Sequence, residues 1–322
     1  MGDWRGLHSW LHSVQVVTFD LELGQVIESV YPDSLADPLS EQDKTNVCYL
    51  AFPDSNSGIM GDIQFHFRIR RSSAPVRESP SVSECHESYN AKCQQPLRVD
   101  HNFLFGFAYF RQVKDASIRR GYYQKSVILL TYLPLVTFFT QMAALVARKY
   151  FEAGELPVEV ACHEVERWPG PQPGHHLTLP LLGALLQLHI PGPADLSAQQ
   201  ETVSLAGSSA AAASCHTELF TVLRPLLDHL HSLWELALTA EPLVVQAPSP
   251  AQCSATVQAL TTIIHPLSFV ADYRPFYTIH DTDFKELTSS NSSALPAIIL
   301  GVTNPFFNKA RLSLEFFIKL KS

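Results

Sequence analysis

The sequence predicts an α/β fold: a sheet-and-helix lobe followed by a second α/β lobe. Three observations support this prediction. Apolar and polar residues alternate over several short segments before residue 133, a pattern typical of half-buried strands. After residue 216, strand-like and helix-like segments follow one another in series, which indicates parallel strand pairing. Of the 322 residues 46% are hydrophobic and 17% charged, so the chain can form two lobes with real cores.

The first half predicts a meander of about five strands with helices packed against it. The strands are expected at 10–20, 25–31, 64–70, 101–113 and 122–133. In segment 64–70 the alternation is strict and places Phe65, Phe67 and Ile69 inward. Residues 38–50 predict a helix with Ser40 as its N-cap. Residues 72–100 have no period and predict a long loop.

An uncharged run at residues 126–147 is long enough to span a bilayer. Pro134 and Gln141 interrupt it, and its period changes from a β-branched, strand-like pattern to a helical one. The helical part has Pro134 near its start and Gly154 after its end. A buried strand that leads into a core helix is therefore the favoured interpretation, and a membrane span is the alternative.

Pro-rich and Gly-rich segments divide the rest of the chain into a linker region and a second lobe. Residues 156–215 predict a linker region, with short strands at 175–190 that pack on a neighbour and a low-complexity run at 204–214. The second lobe is expected at 216–310, and Ser249-Pro250 is a typical helix start within it. Its predicted elements are helices at 218–238 and 249–264, strands at 241–246, 267–270 and 296–302, and a polar loop-helix stretch at 271–288.

Composition and motif spacing exclude several function classes. The formal net charge of −8 argues against a broad electrostatic contact with nucleic acid. The six cysteines include no Cys-x-x-Cys pair and are expected to be reduced thiols, and the fourteen histidines have no metal-ligand spacing. The sequence has no Gly-x-Ser-x-Gly and no phosphate-binding glycine loop. We therefore expect no catalytic centre, no metal and no cofactor, and we interpret the carboxylates of Asp20, Glu22 and Glu28 as a solvated hairpin face.

Two stretches suggest protein partners, each with a structural alternative. ADYRPFYTIHDTDFKEL (271–287) mixes Tyr, Arg, Phe and His with three aspartates, and aromatics and Arg concentrate at interface hot spots. The equally favoured alternative is that Tyr273, Phe276 and Tyr277 lie in the core and the charges are solvated. Asn304-Pro305-Phe306 matches the tripeptide that endocytic EH domains bind. Asn-Pro is also a common turn signal after a strand, and the turn is the favoured interpretation.

Long segments of the chain resemble the sixth DENN-domain subfamily. FDLELGQVIESVYP (19–32), CYLAFPDSNSG (48–58) and GDIQFHFRIR (61–70) resemble its upstream DENN module, a longin-like fold. HNFLFGFAYFRQVKDASIRRGYYQKSVILLTYLPLVTFF (101–139) continues this match, and 241–287 and GVTNPFF (301–307) resemble the central DENN module. The resemblance covers about residues 10–308. It implies a longin-like upstream module at 1–155, the linker region at 156–215, a central module at 216–310 and a divergent tail at 311–322.

The resemblance implies a guanine-nucleotide exchange factor for a Rab GTPase of the endosomal recycling route. Such a factor binds the nucleotide-free GTPase in a cleft between its lobes and displaces switch I. The chain is then expected in the cytoplasm, held peripherally on recycling endosomes by its partners. The subfamily continues after NPFF with a helical downstream module that the tail does not match, so a trafficking adaptor or regulatory isoform that binds a Rab without exchange is the alternative. The residues expected to face the Rab are Asp272, Tyr273, Arg274, Tyr277, Asp281 and Asp283.

Overall fold

The computed structural model describes most of the chain and places its first lobe around one antiparallel sheet. The described residues are 4–33, 38–54, 59–72, 80–118, 121–195, 200–206, 219–288, 296–308 and 316–320. Five strands form the sheet in the order β2-β1-β5-β4-β3. Their bounds are β1 Ser13–Asp20, β2 Gly24–Tyr31, β3 Gly61–Arg70, β4 Phe103–Lys114 and β5 Tyr122–Thr131. All five predicted strands are confirmed, and Phe65, Phe67 and Ile69 on β3 are buried as expected.

Five helices accompany this sheet. They are α1 Arg5–His8, α2 Glu41–Leu50, α3 Pro80–Lys92, α4 Val136–Ala153 and α5 Leu156–Glu166. Helix α4 is the central one, because Phe138, Phe139 and Met142 are fully buried in the core. It ends at Gly154, whose φ of +78° is a left-handed conformation that glycine adopts without strain. The run at 126–147 is thus a buried strand and a core helix, and no helix among the described residues has the length and hydropathy to cross a membrane.

The loop predicted at 72–100 is wrong for residues 80–92, which form helix α3. The buried side chains of this region are Val82, His86, Tyr89 and Cys93, at intervals of four, three and four residues. This is the spacing of one helix face. The sequence pattern did not show it, because a histidine and a cysteine occupy two of the four core positions.

Residues 156–195 and 200–206 pack against the core of the first lobe. Helix α5, which the sequence did not predict, lies against α1 and α4. A three-stranded antiparallel sheet follows, β6 His176–Leu181, β7 Ala184–His189 and β8 Thr202–Ala206. Its inner residues, among them Leu179 and Leu186, belong to the same apolar cluster as α4. The short strands predicted at 175–190 are confirmed, while the domain boundaries at 155, 215 and 310 stay predictions.

The second lobe is built on a parallel sheet, as the serial strands and helices predicted. Its strands are β9 Leu243–Gln246, β10 Asp272–Tyr277, β11 Ile298–Val302 and β12 Phe316–Lys319, in the order β10-β11-β9-β12. Its helices are α6 Leu219–Leu223, α7 Leu230–Thr239, α8 Pro250–Thr262 and α9 Phe284–Thr288. Strand β12 comes from the divergent tail and pairs with β9. The predicted fold class, a sheet-and-helix lobe followed by an α/β lobe, is confirmed.

Two predicted elements of the second lobe are corrected. The single helix expected at 218–238 is interrupted by a 3-10 segment at Arg224–His229, because Pro225 has no backbone N–H to donate to the preceding turn. The strand expected at 267–270 is irregular chain in which Leu267 is 58% and Val270 81% exposed. The strand begins instead at Asp272, inside the stretch predicted as polar loop, because the charges on β10 are paired rather than solvated.

Candidate partner-binding site between the lobes

The two lobes meet where α2 and β3 face β10 and the turn that follows it. The ring of Phe65 on β3 lies edge-on to Phe276 on β10, with centroids 5.3 Å apart. On the neighbouring turn Thr282 and Asn46 exchange two hydrogen bonds: the Asn46 amide donates to Thr282 Oγ1 (3.1 Å), and the Thr282 N–H donates to Asn46 Oδ1 (3.3 Å). Edge-on ring contacts and paired hydrogen bonds both depend on orientation, so they fix the relative position of the lobes.

Arg68 is the main charged link across this junction. Its Nη1 donates to Asp272 Oδ1 at 2.7 Å. Its guanidinium carbon lies 3.4 Å from the ring centroid of Phe103 and 4.4 Å from that of Tyr273, so the cation is held between two aromatic faces. Burial lowers the pKa of Arg68, although Tyr273 and Asp272 oppose the shift.

Arg274 is surrounded by carboxylates in the interior of the junction. Its Nε donates to Asp272 Oδ2 (3.0 Å) and its Nη2 to Asp283 Oδ2 (3.2 Å). Burial works against its charge, but Asp272, Asp281 and Asp283 outweigh burial and raise the pKa of Arg274. Burial raises the pKa of Asp281 to about 6, with Arg274 opposing the shift. Asp281 Oδ1 also accepts the N–H of Asp283 (3.1 Å) and so shapes the turn.

The structure brings the six predicted partner-facing residues together but buries half of them. Arg274 is 3% exposed, Tyr277 1% and Asp281 5%. In this arrangement these three side chains support the junction from inside and offer no surface to a partner. The partly exposed members are Asp272, Tyr273 and Asp283, and for these the sequence-based expectation stays a prediction.

A cleft of about 90 Å³ opens beside Tyr273, with walls from both lobes. Its first-lobe wall includes Glu201, whose carboxylate caps the start of α4 by accepting the N–H groups of Thr137 (2.6 Å) and Phe138 (3.1 Å). Burial raises the pKa of Glu201 to about 7, although these hydrogen bonds oppose the shift. The complete lining is Gln94, Pro96, Leu97, Pro134, Val136, Gln200, Glu201, Gln258, Thr261, Thr262, His265, Leu267, Phe269 and Tyr273.

Exposed apolar side chains border this cleft on the second lobe. Leu267 lines it and is 58% exposed, and Val270, three residues further along, is 81% exposed. A large contiguous apolar patch with a polar rim is typical of a protein-binding surface, and these two side chains add exposed apolar area beside the cleft. Sequence reasoning missed these residues because an apolar run at 267–270 was interpreted as a buried strand. The run itself was the available signal, since a short apolar segment beside His265-Pro266 can also be a protruding turn.

Comparison with known proteins assigns the chain to a family. The family described as "Transport protein Avl9" matches residues 11–159. Protein DENND6B of Mus musculus is 45% identical over 312 residues and Protein DENND6A of the same species 44% identical over 316 residues, each match covering 95% of this chain. The chain belongs to the DENND6 type of DENN protein. The resemblance to the sixth DENN-domain subfamily is thereby confirmed.

DENND6-type relatives extend beyond vertebrates and are longer than this chain. The DENND6 homolog of Dictyostelium discoideum is 33% identical over 365 residues, which cover 94% of this chain. The matched part is 52% of the mouse DENND6B sequence, 51% of mouse DENND6A and 48% of the Dictyostelium protein. The chain therefore spans about half the length of the curated relatives it matches.

Proposed function

We propose that this DENND6-type chain is a guanine-nucleotide exchange factor for a Rab GTPase of the endosomal recycling route. The observation that carries the proposal is its 44–45% identity to mouse DENND6A and DENND6B over 95% of its length. An exchange factor binds the nucleotide-free GTPase more tightly than the nucleotide-bound form. By thermodynamic linkage it weakens nucleotide binding by the same factor. No bond is made or broken, so the chain needs shape and fixed contacts rather than a reaction centre.

The junction between the lobes supports this mechanism by keeping the binding surface rigid. Arg68 of the first lobe and Arg274 of the second lobe both donate hydrogen bonds to Asp272. Tyr49 on α2 also stacks on His280, with ring centroids 4.4 Å apart. A rigid surface loses little conformational entropy when it binds, so more of the contact energy is available to hold switch I away from the nucleotide.

We assign the Rab-facing surface to exposed and partly exposed residues of the lobe junction, of which Leu267 and Tyr273 line the cleft. Asp272, Tyr273 and Asp283 are its partly exposed polar and aromatic members, and Leu267 and Val270 are its exposed apolar members. Of the buried members of the predicted set, Arg274 binds Asp272 and Asp283, and Asp281 binds the backbone of Asp283. Tyr277 instead packs in the core against Phe307. Of these residues Tyr273 belongs to a type that is enriched at interface hot spots, and the others are assigned by their exposure beside it.

Release of a fluorescent guanine nucleotide tests the proposal. The chain is added to each member of a panel of Rabs loaded with that nucleotide, and binding to the nucleotide-free Rab is measured in parallel. We expect faster release from one Rab, and Val270→Asp to reduce that rate roughly tenfold, because a charge would be buried at the interface. Leu23→Asp is the matched control, since Leu23 is 78% exposed on the β1–β2 turn and should leave the rate unchanged. If no nucleotide-free Rab is bound, the proposal fails.

A trafficking adaptor or regulatory isoform that binds a Rab without exchange is the second candidate. The observation behind it is that the residues of this chain match about half of the length of these relatives, and the candidate is that these residues bind a Rab without accelerating nucleotide release. It predicts binding of the nucleotide-free Rab with an unchanged release rate. Either candidate places the chain in the cytoplasm and peripherally on recycling endosomes, held there by its Rab. This location predicts that depletion of that Rab removes the chain from the endosomal membrane fraction.

A further inference from the structure

The tripeptide Asn304-Pro305-Phe306 forms a tight turn directly after β11. The side-chain Oδ1 of Asn304 accepts the backbone N–H of Phe306 at 2.9 Å, and the backbone carbonyl of Asn304 accepts the N–H of Phe307 at 3.3 Å. A 3-10 segment then covers Pro305–Asn308. The preceding residue, Thr303, donates a hydrogen bond to Asp54 of the first lobe. The turn is therefore fixed at its base and has a defined shape before any partner arrives.

The two phenylalanines of this turn have opposite environments. Phe307 is 2% exposed, and its ring packs against Tyr277 (centroids 6.0 Å apart) and edge-on against Phe284 (5.7 Å). Phe306 is 49% exposed, and the neighbouring Pro305 is exposed as well. Phe307 thus anchors the turn in the core, while Phe306 projects from it, and the ring contact that Phe306 makes within the described part of the chain is a distant one to Phe284 at 6.4 Å.

A chain reversal explains Asn304 and Pro305 but not Phe306. Asparagine and proline fix the backbone of a turn, and Phe307 supplies its apolar anchor. A phenylalanine that stays half exposed gains only part of the free energy that burial would provide. A pocket on a partner would complete that burial, and the preformed turn reduces the conformational entropy lost on binding.

We propose that Asn304-Pro305-Phe306 is a docking motif for an EH-type domain. The domain's apolar pocket takes the ring of Phe306, and its polar groups bind the side-chain amide of Asn304. This inference goes beyond nucleotide exchange and does not depend on it. It adds a second partner, recognised through a turn on the second lobe, to the Rab bound beside the cleft.

Titration of a purified, isotopically labelled EH domain with the intact chain tests the proposal. We expect the wild-type chain to shift the resonances of the apolar pocket of the EH domain. A synthetic peptide that contains Asn-Pro-Phe should displace the chain from this pocket. Phe306→Ala should weaken binding roughly thirtyfold, the scale of losing an aromatic anchor. Phe220→Ala is the matched control, because Phe220 on α6 is 63% exposed and should leave binding unchanged.

Asn304→Asp separates recognition from folding. The aspartate keeps an oxygen that can accept the N–H of Phe306, so the turn and the melting temperature should be preserved, while the amide donor is lost and binding weakens at least tenfold. The proposal is overturned if the wild-type chain does not bind, or if Phe306→Ala binds as tightly as wild type. Equal losses in Phe306→Ala and Phe220→Ala would also overturn it, because they would indicate non-specific apolar contact.

Discussion

Replacement of Arg274 by methionine tests whether the buried charges of the lobe junction hold one another in place. The Arg274 side chain is 3% exposed and donates to Asp272 (3.0 Å) and Asp283 (3.2 Å). Methionine is about as long as the aliphatic stem of arginine and is apolar, so it preserves most of the packing of the Arg274 stem. It removes the cation that faces three aspartates.

The expected loss follows from what each aspartate retains. Removal of one partner of a buried ion pair costs about 3–5 kcal/mol, because the remaining charge stays buried. Asp272 keeps Arg68 at 2.7 Å, and the side chain of Asp283 is 33% exposed and can be hydrated. We therefore expect a destabilisation near the lower end of the range, about 3 kcal/mol at neutral pH.

Asp281 gives this prediction a pH signature. Its pKa is already raised to about 6 by burial, and loss of Arg274 removes the charge that opposes the shift. The variant's Asp281 pKa therefore rises further above its unfolded value. A carboxyl whose pKa is raised in the folded state lowers the free energy of unfolding as the pH rises, and it does so more when the folded-state pKa is higher. The destabilisation by Arg274→Met should therefore shrink as the pH falls from neutral towards about 5, where Asp281 is protonated in the folded variant.

Urea unfolding followed by tryptophan fluorescence measures this difference at both pH values. Lys149→Met is the control, because Lys149 pairs with Glu152 at 2.8 Å but both side chains are more than half exposed, and such pairs contribute about 1 kcal/mol or less. A variant within about 1 kcal/mol of wild type at neutral pH, or a penalty that grows on acidification, would refute the reasoning.

Three further predictions concern other parts of the fold. Burial raises the pKa of the Glu201 carboxyl from 4.5 to about 7, and Glu201→Gln removes this carboxyl. The free energy of unfolding of the variant, relative to wild type, should therefore increase by roughly 2–3 kcal/mol between about pH 5 and pH 8. A pH-independent difference in urea unfolding would contradict this. Gly106→Ala places a Cβ against the ring of Phe67 and should lower the free energy of unfolding by about 1–3 kcal/mol, measured by thermal melting. Asn46→Ala removes both hydrogen bonds to Thr282 and should cost about 1–3 kcal/mol, with faster proteolysis of the junction turn as an independent readout.

Elements fixed by local chemistry could be predicted from the sequence. Ser40 was expected to cap α2, and its Oγ accepts the N–H of Asp43 at 3.0 Å. Ser249 was expected to cap α8, and its Oγ accepts the N–H of Gln252 at 3.3 Å. The strands of the first sheet could be predicted because apolar and polar residues alternate in them with the two-residue period of a pleated strand. In each case the deciding contact or repeat lies within a few residues of chain.

Elements decided by distant contacts could not be predicted in this way. Helix α3 buries His86, whose Nε2 lies 3.2 Å from the carbonyl oxygen of Ser9, seventy-seven residues away in sequence. A hydropathy pattern counts such a histidine as polar and so hides the helical face. The opposite error occurred at 267–270, where apolar residues predicted a buried strand. Only the packed fold shows that Leu267 and Val270 remain at the surface.

The candidate site was located by composition, but composition does not decide which of its residues face a partner. Arg and Tyr concentrate at protein interfaces and also occur at this junction between two lobes of one chain, since both kinds of contact bury aromatic rings and pair charges. Exposure separates the two roles. Substitution of the buried Arg274 should change Rab binding only in proportion to its effect on stability. Substitution of Val270, which is 81% exposed, should change Rab binding with the melting temperature unaltered. If Arg274→Met abolished Rab binding in a fully folded chain, the buried set would have to reach the partner, and the assignment of the surface to the exposed residues would be wrong.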